Sequence, residues 1–100
     1  MSVTSTVSGN VVNISISGRF DFSCHKEFRE TYNGTPSSNE FIIDLSGTEY
    51  VDSSALGMML LLREHAGSDG ANIVVKGCRK EVKDILIVSN FDKLFKIDWF

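Results

Sequence analysis

Two short apolar runs, Phe41 to Leu45 (FIIDL) and Asn72 to Val75 (NIVV), constrain the fold of this chain more than any other feature. Each is too brief for a helix, is bounded by turn-forming residues, and reads as a central strand buried inside a sheet. Between them lies a longer stretch, TEYVDSSALGMMLLLREHA at Thr48 to Ala66, with apolar residues at helical spacing. Strands that alternate with helices predict the α/β class.

The flanking segments extend the pattern. From Val3 to Ser17, Val3, Val7, Val11, Ile14 and Ile16 are separated by Ser, Thr and Asn around Gly9-Asn10, which predicts a β-hairpin with a two-residue turn. Phe20, Cys24, Phe28 and Tyr32 fall four apart before Asn33-Gly34, so a first helix is expected from Ser23 to Tyr32. The GTPSSNE segment forms a loop. The second helix should end near Gly67, and CRKEVKDILIVSN carries Val82, Ile85, Leu86 and Ser89 at helical spacing. FDKLFKIDWF reads as a last helical turn followed by a terminal strand. The sum is a mixed four- to five-stranded sheet that opens with a β-hairpin and is covered by three to four helices.

With 100 residues, 42% of them hydrophobic, and one proline, the chain is expected to form one domain over residues 1–100. A net charge of -3 and ten scattered Lys and Arg leave no basic field for nucleic acid or anionic lipid. The N-terminus has neither a basic segment nor a continuous apolar one, and no apolar run reaches spanning length. A cytoplasmic protein without membrane insertion is expected. Cys24 and Cys78 are far apart and predict free, buried thiols.

At 100° per residue, Ala55, Met59, Leu62 and Ala66 share the core face of the second helix. Leu56 and Arg63 flank it on one side and Met58 on the other, while Ser54, Leu61 and His65 point away. Leu60 and Leu61 exceed what one core face needs. Either another helix or the terminus covers them, or they form a docking patch beside the serines. At the helix start, Asp52 or Ser53 can cap free N–H groups, and a phosphate on a first-turn serine would be tolerated there.

Catalysis is not expected. His65 lies roughly 16 Å along the helix from Ser54, too far for a Ser–His pair. His25, beside Cys24, reads as a surface histidine, and no phosphate-cradling glycine motif occurs. Asp44 reads as a strand-end cap and Asp21 as a helix cap. No cofactor or metal is expected.

IIDLSGTEYVDSSALGMMLLLREHA followed by NIVVKGCRKEVKDILIVSNFDKLFKI resembles the STAS domain family, and within it the bacterial anti-sigma factor antagonists. The likeness includes GRFDF before the first helix and is most specific over Asp44 to Gly57. The resemblance implies a partner switch. Ser54, with Ser53 as second choice, is phosphorylated by an anti-sigma factor that is itself a serine kinase. The unmodified protein binds that factor and frees the sigma factor, and a PP2C-like phosphatase resets the switch. The implied partner-binding residues are Asp21, Asp52, Ser53, Ser54, Ala55, Gly57, Met58 and Leu61. Ala55 stands where many antagonists have Gly. A monomer or weak dimer is implied. The alternative is a non-switching STAS subunit of a larger complex, such as a lipid-transport ATPase or a stress-sensor assembly, in which Ser54 is only a cap.

Overall fold

The computed structural model describes residues 2–36 and 39–98, so Ser37 and Ser38 of the predicted loop and the end of the predicted terminal strand, Trp99 and Phe100, lie outside the described residues. The elements are β1 (Ser2–Ser8), β2 (Val11–Phe20), α1 (His25–Tyr32), β3 (Glu40–Val51), α2 (Ser53–His65), β4 (Ile73–Lys76), α3 (Lys80–Val88) and β5 (Lys96–Asp98). Short 3-10 turns precede α1, follow α2 and follow α3.

The five strands form one sheet in the order β1-β2-β3-β4-β5. The hairpin forms as the alternation predicts, with Ser8 opposite Val11 across Gly9-Asn10. Gly9 at φ +62 supplies the left-handed conformation that such a turn requires. The remaining neighbours, β2 with β3, β3 with β4 and β4 with β5, are parallel. Each therefore needs a helical crossover, and crossovers of this kind are right-handed. Because the strands advance in one direction across the sheet, a constant hand places all three helices on the same face.

That geometry corrects one expectation. The two apolar runs predict central strands buried inside the sheet, yet β3 begins with strict alternation: Phe41, Ile43 and Leu45 are buried, while Ile42 and Asp44 are half-buried. β4 repeats it, with Ile73 and Val75 inward and Val74 and Lys76 outward. The inward residues join Phe28 of α1, Met59 and Leu62 of α2 and Leu86 of α3 in a single core cluster. No described helix covers the sheet's other face, which carries Ile42 and Val74 beside Asp44 and Lys76.

β3 also runs further than expected. Thr48 to Val51, ahead of the predicted second helix, remain strand because β2 is long enough to pair with them as far as Phe20 opposite Val51, through register shifts after Ser15 and Gly18. Asp44 is consequently mid-strand rather than a strand-end cap, and its carboxylate accepts the Ser46 N–H at 2.9 Å. Thr48 is fully buried and its hydroxyl donates to the Ile16 carbonyl at 2.7 Å. Thr48→Val keeps the volume but strands that acceptor, so it should lower the unfolding free energy by about 1–3 kcal/mol in denaturant titration.

Cys24 and Cys78 are buried free thiols. Burial, with Asp44 nearby, pushes the Cys78 thiol up to about 11, which leaves little reactive thiolate at neutral pH.

Candidate partner-docking and modification site

β3 delivers the chain to Asp52, whose extended backbone (φ -108, ψ -177) turns it into α2. The Asp52 N–H donates to the Phe20 carbonyl at 3.3 Å, tying the start of α2 to the end of β2. Asp52 is the N-cap. Its Oδ1 accepts two donors, the Ala55 N–H at 3.0 Å and the Ser54 hydroxyl at 2.6 Å. Of the two cap candidates the aspartate takes the role, and Ser53 sits exposed at the first helical position.

The paired donors hold the Asp52 carboxyl below the usual aspartate range; the Ser54 hydroxyl contributes most, then the Ala55 N–H, while nearby Asp21 acts in the opposite sense. A carboxyl depressed in the folded state contributes stability at neutral pH, and loses it as pH falls through the folded value. Melting temperature should therefore drop as acid is added below about pH 4, and Asp52→Asn should flatten part of that slope. At neutral pH, Asp52→Ala should cost about 1 kcal/mol by loss of the cap, whereas Asp52→Asn should cost much less because Asn caps equally well.

Asp21 occupies the matching place after β2. Its Oδ1 accepts both the N–H and the hydroxyl of Ser23, and its Oδ2 lies 3.6 Å from Arg19 Nε. The Arg19 guanidinium in turn lies 4.3 Å over the Tyr50 ring. The Ser23 hydroxyl is the main cause that lowers the Asp21 carboxyl.

The predicted site residues do not all share one surface. Asp21, Asp52, Ser53, Ser54, Gly57 and Leu61 lie at least partly open to solvent, with Leu61 49% and Leu60 40% exposed. Ala55 at 0% and Met58 at 4% are turned into the core, so neither side chain offers a contact to a docked protein. The inward arc of α2 is wider than the four-residue period suggests because α1 and the sheet embrace it from two sides. No described residue covers Leu60 or Leu61 well enough to bury them.

One residue escaped sequence reasoning. Phe22 is 69% exposed and stacks on His25 with ring centroids 5.3 Å apart. The signal was present: Phe22 falls out of step with Phe20, Cys24, Phe28 and Tyr32, so it had no place in the core. His65, by contrast, is structural. Its Nε2–H donates to the Thr35 carbonyl at 2.8 Å, and its ring packs against Tyr32 and Phe41. Among the described residues no helix is long and apolar enough to cross a membrane.

A family model described as "Mlab, STAS domain" matches residues 3–97. A STAS-domain containing protein of Pseudomonas aeruginosa is 48% identical over 90 residues, covering 89% of each chain. Among solved structures, an anti-sigma factor antagonist from Mycobacterium paratuberculosis superposes with a TM-score of 0.81 at 19% identity, over 97% of this chain and 84% of that one. The phosphorylated form of the Bacillus cell fate determinant SpoIIAA gives 0.71 at 14% identity, over 96% and 90%. A sulfate transporter family protein from Wolinella succinogenes gives 0.74 at 15% identity, over 95% and 82%. The solved structures share the fold across different roles, so the choice of role falls to the site.

Proposed function

The chain belongs to the STAS domain family, and from that premise we propose that it acts as an anti-sigma factor antagonist whose binding is gated by phosphorylation of Ser54. The observation that carries the reading is the Ser54 hydroxyl held at 2.6 Å by the Asp52 cap at a helix start, with exposed Leu61 two turns along the same side of α2. In its unmodified state this surface carries the Asp52 carboxylate, already held by its own helix start, together with the exposed Leu61 side chain, a combination that can dock a protein. A phosphate adds about -1.5 to -2 charges, and the phosphorylated oxygen has no proton to donate to Asp52. Two anions then crowd one helix start beside an apolar surface, which repels a partner through charge and desolvation. The helix itself tolerates the phosphate, since free N–H groups and the positive end of the dipole face it. The switch therefore acts locally, with the backbone of α2 in place.

The partner is an anti-sigma factor with serine-kinase activity, reset by a PP2C-like phosphatase; any nucleotide binds the partner. Ser54 is favoured over Ser53 because its hydroxyl is fixed by Asp52 while the Ser53 side chain is exposed at the first helical position. Peptide mass spectrometry of the protein purified from its native cells should find phosphate on Ser54. Phosphate on Ser53 alone, or on neither serine under any growth condition, would overturn the reading. The transporter-family likeness favours a second reading, a permanent subunit in a larger assembly, which predicts constant co-purification and no phosphate.

A further inference from the structure

The sheet ends in two edges of opposite character. β5 is three residues long and bears Lys96 and Asp98, which discourage a further strand from pairing with it. β1 has no such protection. It carries no charge and no proline, and its register with β2 runs from Ser2 to Ser8 without a shift, so no bulge turns it away. Across the two-residue turn at Gly9-Asn10, Ser8 and Val11 close the hairpin as a hydrogen-bonded pair. Bonding alternates from there, so the N–H and C=O groups of Val3, Ser5 and Val7 point away from β2, along the free edge.

The strand's own sequence indicates what fits that edge. SVTSTVS reads the same in both directions, with Ser5 at its centre. When two copies of β1 lie antiparallel about a two-fold axis at Ser5, Val3 of each meets Val7 of the other, Thr4 meets Thr6, and Ser5 meets itself. The pairs that must exchange hydrogen bonds in this register are those of Val3, Ser5 and Val7, whose backbone groups already point outward. The side chains agree with the backbone. Val3, Ser5 and Val7 stand opposite Ile16, Ile14 and Val12, on the face that carries the helices. Val3 packs against the core while Val7 is 62% exposed, so each copy brings a partly covered valine to the other's bare one. With no charge on the strand, self-pairing meets no like-charge repulsion along its length. We propose that β1 is a self-association edge, through which two copies of this chain join antiparallel about Ser5 into one continuous sheet with five strands from each copy. The inference is independent of the Ser54 reading.

Sedimentation velocity of the full chain, from about 1 µM to about 1 mM, should show a monomer–dimer equilibrium. Ser5→Lys sets two ammonium groups against each other on the axis and should raise the dimer dissociation constant at least tenfold. Ser5→Glu should do the same, and an equimolar mixture of the two variants should dimerise again, because residue 5 meets its own counterpart. Ser5 is exposed, so both variants should keep the far-UV circular dichroism and nearly the melting temperature of the dilute wild type. Ser5→Pro removes the central outward N–H without touching the bonds to β2, and should abolish the dimer. Under mild oxidation Ser5→Cys should cross-link to itself, the native cysteines being buried, whereas Ser8→Cys, which this register places opposite Ser2, should not. A wild-type chain that stays monomeric throughout would overturn the proposal, as would a dimer indifferent to Ser5→Lys, which would place the association on another surface. A chain that is monomeric alone yet loses a protein bound from native lysate on Ser5→Lys would give the edge to another protein's strand and would equally overturn it.

Discussion

Leu62→Ala should lower the unfolding free energy by about 2–5 kcal/mol, while Leu61→Ala, one residue away, should change it by less than about 0.5 kcal/mol. Leu62 is 0% exposed and packs in the cluster that joins α2 to the sheet, so truncation removes buried methyl groups and leaves a cavity. Leu61 is 49% exposed on the side of α2 that carries Ser54 and gives up little burial. For a domain of this size the first loss corresponds to a fall in melting temperature of roughly 10 °C or more. Denaturant titrations of both variants check the pair. Comparable losses would mean that Leu61 is covered, and the docking surface proposed on the Ser54 side of α2 would lose its main apolar element.

Gly77→Ala should cost about 2–4 kcal/mol, more than any single surface change in the chain. Gly77 follows β4 with φ +77, a conformation strained for any residue with a Cβ. An added methyl would also lie 2.9 Å from the Ser46 Cβ, 3.2 Å from the Ser46 Cα and 3.2 Å from the Asp44 Oδ1. Two of those three atoms belong to the backbone or its first side-chain carbon, so relief requires β3 and the β4 exit to separate. Gly57→Ala is the control. It has no neighbour within 4 Å of the new methyl and lies inside α2, where alanine is the better helix former, so it should be neutral or slightly stabilising.

The sequence was most informative where one period dominates. The hairpin was readable because Ser, Thr and Asn alternate with Val and Ile around Gly9-Asn10, and the inward residues of α2 because Ala55, Met59, Leu62 and Ala66 recur at 3.6-residue spacing. It was least informative where a neighbour decides. β3 continues through polar Thr48, Glu49 and Tyr50 only because β2 is there to pair with it, which no local propensity records. The open sheet face likewise follows from strand order, not from the apolar content of FIIDL or NIVV. At the site, D-S-S announced a helix start, but which oxygen caps and which hydroxyl it holds depended on Asp52 Oδ1 meeting both Ser54 and Ala55. Met58 could not be assigned from its flanking angle, and Phe22 became visible only once the turn before α1 held it outside the core.

The most direct test of the central claim compares Ser54→Ala and Ser54→Asp proteins as baits in native lysate, with bound proteins identified by mass spectrometry. Ser54→Ala is expected to retain an anti-sigma factor with serine-kinase activity, and Ser54→Asp to lose it by at least tenfold while melting at nearly the same temperature. Equal recovery of that factor by both baits would contradict the phosphorylation gate.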